Sequence, residues 1–443
     1  MNRRLFLKGL SLAAIYAMFP TQLFSDVSEV IFDKATYDKN GAQTIMIFLY
    51  GGASELAGNL TNFEEIQQKS QNKYHEPSVT VTQNHFWEQA GGDSLENMLS
   101  NGDLNLFRTC YRKSNDSKSH GDCTAENQRG FLNVEEPTYA PGIFANLGKV
   151  LFDNGVITKD SKLPFMTMEG ESGFFYKGDL DTDHAITPSG IDETLSNPYE
   201  RDIPSQLYSQ EELDSDSQES ESAFSKKLDA LAKSINQNDI LQNSFDKRAV
   251  LEEFINEQKQ IVLPEGIVYP THTFGQKLKT AINLLLSNKE TKIISLGSSG
   301  LGGWDDHSNA LQAYSNRMNA LMEAIEVAMQ HLNSVENTNI NIMVFGEFGR
   351  NVNLNDSLGW DHGNNQNFYL FGGKNYFNNL GIVGQTQLKP TEENNRLYTE
   401  PTPDSYTFEP YSIAATIYAI YGIKNPELLT NGFQSIQEGL LKE

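Results

Sequence analysis

Apolar residues recur along the chain in short, nearly continuous runs, and each run ends at glycine or at polar residues. Runs of this kind are typical of strands that are buried on both faces of a parallel sheet. The pattern therefore predicts the core of a large, mostly parallel sheet. The predicted strands lie at 43–52, 104–110, 163–170, 292–297, 340–349 and 367–373.

Between these strands the apolar residues change to three- and four-residue spacing, which is typical of amphipathic helices. Residues 308–332 follow this spacing and predict a long helix that joins two strands. A shorter helix is expected from Phe274 to Leu285, and another within "YSIAATIYAIYGI" at 411–423. Strands that alternate with helices predict a doubly wound α/β fold. We expect one such domain at 26–443.

The middle of the chain differs in character from this α/β pattern. Its segment "QEELDSDSQESES", at 210–222, carries six acidic residues and no basic one, as is typical of a solvated segment. A calcium site is the alternative, although the spacing matches no EF-hand loop. We interpret residues 172–262 as an insertion, or cap, on the α/β domain.

The N-terminus reads "MNRRLFLKGLSLAAIYAMFPTQLFS", in which Arg3 and Arg4 precede Phe6 and a short apolar stretch. This arrangement resembles a twin-arginine export signal. We therefore expect a signal peptide at 1–25, recognition by the twin-arginine export machinery and a periplasmic location. An uncleaved membrane anchor is the alternative. No later segment approaches about 18 uninterrupted apolar residues, so no membrane span is expected after signal cleavage.

Charge and cysteine content narrow the range of partners. The formal net charge of −24 argues against nucleic acid, because the neutralisation of phosphates requires a basic surface. The chain has two cysteines, Cys110 and Cys123, and an oxidising compartment favours a disulfide between them. No cluster of cysteine and histidine predicts a thiolate zinc site.

Polar side chains cluster where three predicted strands meet loops. Ligands of parallel sheets bind at the carboxyl ends of strands, and carboxylates with imidazoles are a common shell for zinc, manganese or a similar ion. Each cluster also has a plainer interpretation, as a helix cap, an ion pair or a turn. The residues are Asp305 and His307 in "GGWDDHSN", Glu347 and Arg350 in "GEFGR", and Asp361 and His362 in "GWDHG".

A fourth polar cluster, "SNDSKSHGDCTAE", follows the second predicted strand. Ser119 and His120 precede a possible helix there, an arrangement that could direct a hydroxyl nucleophile and a helix N-terminus at an anion. A polar loop capped by Ser119 is the alternative. Cys123 lacks the Pro and Arg pattern that marks a formylglycine cysteine, which argues against a sulfatase.

Taken in order, these motifs resemble the bacterial family called domain of unknown function 1501 (DUF1501). The corresponding runs of that family look like S-H-F-x-A-Q, W-D-T-H, S-E-F-G-R and G-x-D-H-G, and the resemblance extends over about 43–424. The family is similar in fold to the alkaline phosphatase and sulfatase superfamily, whose members use two divalent metals and a Ser, Thr or formylglycine nucleophile. The resemblance therefore implies an alkaline phosphatase-like fold and a divalent metal, whether zinc, manganese, calcium or magnesium.

The resemblance also implies roles for individual residues. Ser119 becomes the expected nucleophile, with His120 and Arg350 as further catalytic residues. One departure is that the superfamily has an Asp ligand after the first strand, where this chain reads "GGASELAGNL" and offers Glu55 instead. The expected metal ligands are Asp305, His307, Glu347, Asp361 and His362.

Two functions follow from this interpretation. The first is an exported metal-dependent hydrolase of phosphate or sulfate esters, in which Arg350 clamps an oxygen of a small anionic substrate. The second is a non-catalytic exported protein that keeps the fold and binds an envelope partner. The missing Asp favours the second function, and the other clusters favour the first.

Overall fold

The computed structural model describes residues 29–442, except 76, 116, 131–139, 179, 181–188, 191–256, 258–260, 299 and 391–394. The expected signal peptide at 1–25 and most of the expected insertion at 172–262 lie outside the described residues. Within the described residues, no helix has both the length and the apolar character of a membrane span.

Short strands and long helices alternate along the described chain. The strands are β1 (Gln43–Leu49), β2 (Leu104–Tyr111), β3 (Phe165–Thr167), β4 (Ser189–Gly190), β5 (Ile293–Ser295), β6 (Ile340–Gly346), β7 (Gly349–Arg350), β8 (His362–Gly363), β9 (Asn365–Gly372), β10 (Ile382–Val383), β11 (Thr386–Leu388) and β12 (Thr399–Pro401). The helices are α1 (Lys34–Asn40), α2 (Phe63–Lys69), α3 (Gly92–Ser100), α4 (His120–Arg129), α5 (Ile143–Asp153), α6 (Thr273–Ser287), α7 (Ala310–Ser334) and α8 (Tyr411–Ile420). The strands and helices predicted from the apolar pattern are confirmed, with ends shifted by a few residues.

An eight-stranded sheet, in the order β10-β2-β9-β6-β1-β5-β3-β4, forms the centre of the described fold. Its pairings are parallel except those of β9 with β2 and β6, which are antiparallel. The sheet is therefore mostly parallel, as predicted. Because β9 runs in the opposite direction, its first residues lie at the edge where β1, β2, β5 and β6 end.

Helices cover both faces of this sheet, which confirms the doubly wound arrangement. Every residue of β1 is buried, and alternate side chains point to opposite faces of a strand. Ile45 and Ile47 pack in one apolar cluster with side chains of α3, α6 and α7. Met46 and Phe48 pack in a second cluster with side chains of α5 and α8. A core on each side holds the sheet, and with it the ends of its strands, in place.

The predicted disulfide is wrong, since both cysteines are free and buried. Cys110, on β2, packs in the same apolar cluster as Phe107 and Phe408. The Sγ of Cys123, on α4, lies 3.2 Å from the carbonyl oxygen of Ser117 and donates to it. Packing therefore directs the two thiols to different surroundings.

Candidate metal site

Four segments of chain meet at the edge of the sheet where the parallel strands end. The loop after β2 leads to His120, the loop after β5 carries Asp305 and His307, and Glu347 directly follows β6. His362 lies just before β9 and reaches the same edge because β9 is antiparallel to its neighbours. Its short strand β8 pairs with β7 and holds it there.

Four of these side chains form a compact group of potential ligands, namely His120, Asp305, His307 and His362, whose ligand atoms all lie within 4.8 Å of one another. The Oδ1 of Asp305 lies 3.0 Å from the Nε2 of His307, 3.4 Å from the Nε2 of His120 and 3.7 Å from the Nε2 of His362. The Nε2 atoms of His307 and His362 are 3.0 Å apart. Bonds of about 2.0–2.1 Å in a tetrahedral zinc site place the ligand atoms about 3.3 Å from one another. The observed separations therefore fit one small cation.

Two of these imidazoles are oriented through their other ring nitrogen. The Nδ1 of His120 lies 2.6 Å from Oε2 of Glu347, and the Nδ1 of His362 lies 2.7 Å from the carbonyl oxygen of Lys118. A proton on Nδ1 donates to these acceptors and leaves the lone pair of Nε2 facing the group. Outer hydrogen bonds of this kind set the tautomer and the ring orientation of metal-binding histidines.

His307 has a comparable partner in Asp361. The Nδ1 of His307 lies 3.3 Å from Oδ1 of Asp361, and the other carboxylate oxygen of Asp361 accepts from the Nε of Arg396. Burial opposes the ionisation of Asp361, but the hydrogen bond and charge of Arg396 outweigh burial and hold the pKa of Asp361 below its ordinary value. Asp361 therefore presents a charged acceptor to the back of His307.

Arg350 is buried and braces the group from within the protein. Its Nη2 lies 2.6 Å from Oδ1 of Asp305. Burial opposes the ionisation of Asp305, but Arg350 outweighs it, so the pKa of Asp305 is held below its ordinary value. The guanidinium also donates to the backbone carbonyls of Gly51, Gly52, Trp304 and Trp360. These bonds fix the position of Arg350. Its guanidinium is therefore occupied by backbone carbonyls and by the carboxylate of Asp305, which it holds in place.

Gly51, the first of the two glycines after β1, lies against the backbone of the loop that carries Asp305. It has a φ of +108°, and a Cβ there would lie 2.5 Å from the backbone nitrogen of Asp305. Its N–H donates to Oε1 of Glu347 at 2.8 Å. Only a residue without a side chain fits this close approach of two loops, so Gly51 allows the loop after β1 to support both sides of the group.

Asp306 is directed away from the group, although it adjoins Asp305. Both of its carboxylate oxygens accept from the Nη2 of Arg317, at 2.5 and 2.6 Å. Burial raises the pKa of Asp306, and Arg317 only partly offsets that effect. Asp306 therefore joins the loop to α7 and leaves Asp305 and His307 to face the group.

The group opens to solvent. The side chains of Asp305, His307 and His120 are 49%, 42% and 39% exposed. Burial and the neighbouring Arg350 lower the pKa of His362 to about 4, so its imidazole is neutral at neutral pH. An exposed group of three imidazoles and one carboxylate can bind a cation and remain accessible to a small molecule.

Ser119 caps the helix that begins at His120. Its Oγ accepts from the backbone N–H of Asp122 at 3.4 Å, and its side chain is exposed. This is the capping geometry that the sequence left open as an alternative. Ser119 directly precedes His120 in the chain.

Glu55 does not join the group. Its buried carboxylate accepts from the side chains of Asn59 and Thr399 at 3.2 and 2.8 Å, and from Asn365. Burial raises its pKa to about 7. It is therefore part of a separate buried network and does not take the place of the Asp ligand that the resemblance led us to expect after the first strand.

The group differs from the expected ligand set in three residues. Glu347 and Asp361 were expected as ligands, but the structure places each behind an imidazole. His120 was expected as a catalytic residue, but its Nε2 lies within the group. The sequence feature that could have identified His120 as a ligand is its position after a predicted strand, because the other polar clusters also follow strands at that edge of the sheet.

A family model described as a protein of unknown function (DUF1501) matches residues 42–376, which is more than half of the chain. The chain belongs to the DUF1501 family. This confirms the resemblance drawn from the motifs. No curated protein matches this DUF1501 chain.

Several solved structures share broad similarity with this DUF1501 chain. The lipoteichoic acid synthase LtaP from Listeria monocytogenes is 10% identical over 92% of this chain and 80% of its own, with a TM-score of 0.33. Ps i-CgsB is 11% identical over 88% and 75%, with a TM-score of 0.38. The cold-active alkaline phosphatase from the psychrophile Shewanella sp. is 11% identical over 72% of each chain, with a TM-score of 0.31. These TM-scores are too low to carry a functional argument, and the site rests on its own geometry.

Proposed function

We propose that this DUF1501 protein is an exported, zinc-dependent hydrolase of phosphate or sulfate esters. The observation that carries the proposal is that His120, His307, His362 and Asp305 each place one ligand atom within 4.8 Å of the others. Export rests on the twin-arginine pattern of the first residues, and a periplasmic location follows from it.

The donor set favours zinc among the candidate metals. Three imidazole nitrogens and one carboxylate oxygen suit a borderline-soft cation, whereas magnesium and calcium prefer oxygen ligands alone. Asp305, His120, His307 and His362 would hold the ion. Among the described residues, this is the one group of potential ligands close enough together to hold a metal, so the proposal is for one ion.

A zinc ion held there would supply positive charge that polarises an anionic ester and stabilises charge in the transition state. The protein's own groups keep the ligands in position. Arg350 fixes the oxygen of Asp305 that faces the group. Glu347 accepts the Nδ1 proton of His120, which leaves the Nε2 lone pair of His120 free to bind a metal. Pre-set ligands bind the ion without loss of side-chain freedom.

Ser119 is the nucleophile in this proposal. Its hydroxyl is exposed at the start of α4, and the next residue, His120, contributes to the group. The N-terminus of a helix favours negative charge, so an ester anion placed between Ser119 and the metal would be stabilised from both sides.

A non-catalytic role has one observation in its favour. Four protein ligands complete a tetrahedral shell, and closed shells are typical of structural zinc sites, whereas catalytic sites keep an open position. The half-exposed side chains of Asp305 and His307 favour the catalytic interpretation, because a structural ion is ordinarily enclosed.

Metal analysis and an ester panel distinguish the two roles. Purified protein is loaded with zinc, its metal content is measured, and it is assayed with p-nitrophenyl phosphate, bis(p-nitrophenyl) phosphate and p-nitrophenyl sulfate. We expect one zinc per chain and hydrolysis of at least one ester. His307→Ala should lose both zinc and activity, whereas Ser119→Ala should keep zinc and lose activity by about 100-fold or more. Stoichiometric zinc without turnover of any ester would favour the binding role, and absence of zinc would overturn the metal site.

A further inference from the structure

A cavity of about 340 Å³ adjoins the candidate metal site along one face of α4. His120 lines one end of it and Arg129 the other, and the residues between them include Thr124, Ala125 and Gln128. These positions recur every three or four residues and so share one helix face. His120 and Arg129 are nine residues apart, so the groove runs for about 13 Å along the helix.

The wall of this groove is held in place. The side-chain amide of Gln128 donates to the hydroxyl of Tyr50 at 2.8 Å. Gly173 lies in direct contact with Gln128, and a Cβ at Gly173 would lie 2.1 Å from the amide oxygen of Gln128. The contact leaves no room for a side chain at 173, and the hydrogen bond to Tyr50 holds Gln128 against that glycine.

Arg129 is poised for an anion. Its Nη1 is buried and has no hydrogen-bond partner, and its guanidinium carbon lies 5.4 Å from the centre of the Tyr176 ring. Because Nη1 is closed to solvent, an anion in the groove would meet the other guanidinium nitrogens of Arg129, which lines the groove. The described lining residues include no carboxylate, even though the net charge of the chain is −24.

We propose that the groove binds the part of the substrate that extends from the metal site, and that Arg129 pairs with a second anionic group of that substrate. This rests on the proposed function and narrows its substrate class. The substrate is a phosphate or sulfate ester that carries a further carboxylate, phosphate or sulfate within about 13 Å of the bond that is cleaved. A guanidinium suits each of these anions because its planar donors match two oxygens at once.

Binding of spaced anions tests the proposal without relying on turnover. The zinc-loaded protein is titrated with alkane α,ω-bisphosphonates of increasing length, up to about 13 Å between phosphorus atoms, and with the matching monophosphonates. We expect the best bisphosphonate to bind about tenfold or more tightly than its monophosphonate. The zinc content after titration shows whether the ion stays in place.

Two variants and one control identify the groove. Arg129→Gln should abolish the gain from the second phosphonate, and Ala125→Leu should reduce it by narrowing the groove, while the affinity for monophosphonate stays unchanged. Lys162→Gln is the control, because Lys162 is exposed and precedes β3 at the opposite edge of the sheet.

The outcomes separate this proposal from the proposed function. Equal affinity for mono- and bisphosphonate, or a gain in affinity that persists in Arg129→Gln, would contradict the proposed role of the groove. Neither result would contradict the proposed metal site. A protein that binds no zinc would overturn both. Thermal melts of each variant check folding, and Arg129→Lys should keep part of the gain because it keeps the charge.

Discussion

Glu347 and His120 are 227 positions apart in the chain, yet Oε2 of Glu347 lies 2.6 Å from Nδ1 of His120. The carboxylate is buried, and its other oxygen accepts the N–H of Gly51 at 2.8 Å. It is therefore fixed by the loop after β1 and in turn fixes an imidazole at the start of α4. A histidine oriented by a carboxylate is a recurring feature of metal sites.

Removal of the charge at Glu347 should weaken metal binding. In Glu347→Gln the amide is a weaker acceptor for the Nδ1 proton of His120, so we expect zinc affinity to fall about 10- to 100-fold. Competition with a chromogenic chelator measures the change. Glu64→Gln, at an exposed position of α2, is the matched control and should bind zinc as the wild type does. An unchanged affinity in Glu347→Gln would show that Glu347 does not orient a ligand.

Neighbouring acidic residues should respond differently to alanine. Asp305→Ala should lower zinc stoichiometry, because it removes the one carboxylate of the group. Asp306→Ala should leave stoichiometry nearly unchanged and lower the free energy of unfolding by about 1–3 kcal/mol, since it leaves Arg317 without its partner. Metal analysis and chemical denaturation measure the two effects. Equal loss of zinc in both variants would contradict the geometry.

The pKa of Glu55 is raised to about 7 by burial, and this makes stability depend on pH. Since the folded state favours the protonated carboxyl, its contribution is full below the ordinary pKa of 4.5 and is lost as pH rises through about 7. The wild type should therefore lose roughly 3 kcal/mol between these limits relative to Glu55→Gln, which has no charge to titrate.

Urea denaturation of metal-free wild type and Glu55→Gln at several pH values measures this difference. The comparison uses the slope of the unfolding free energy against pH. The amide of Glu55→Gln faces the donors of Asn59, Thr399 and Asn365 at every pH, so it lowers stability by a constant amount that does not change the slope. Glu64→Gln should show no such difference in slope. Parallel curves for wild type and Glu55→Gln would mean that Glu55 is ionised throughout the range.

The two cysteines should behave as free thiols in the folded protein. Burial raises the pKa of Cys123 to about 11 and that of Cys110 further, so neither forms a reactive thiolate at neutral pH. We expect slow reaction with a thiol reagent in the folded protein and two free thiols after unfolding without reductant. A count of zero free thiols would show that Cys110 and Cys123 form a disulfide after all.

Export should depend on the arginine pair at the N-terminus. We predict that the folded-protein export route recognises Arg3 and Arg4, so their replacement by lysine should leave the protein in the cytoplasm. Fractionation followed by immunoblotting measures the change. Replacement of Lys8 by Gln outside the pair should permit export, and export of the double-lysine variant would contradict the assignment.

The sequence by itself determined the layers of the fold. The run at 45–49 is apolar throughout, and apolar burial on both faces requires a sheet covered by helices. The long helix at Ala310–Ser334 was equally readable, because three- and four-residue spacing has no other regular explanation. It also located the polar clusters at strand ends, since an abrupt change from apolar to charged residues marks the point where a strand leaves the core.

Only the tertiary structure decided the direction of β9 and the roles within the site. A buried strand has the same apolar pattern in either direction, so the sequence could not show that His362 reaches the site from the start of an antiparallel strand. Nor does the chain encode locally which side chain faces a metal and which stands behind it. His120 faces the group and Glu347 lies behind it because Asn127, on α4, donates to the backbone carbonyls of Gly346 and Glu347 and so packs α4 against the end of β6.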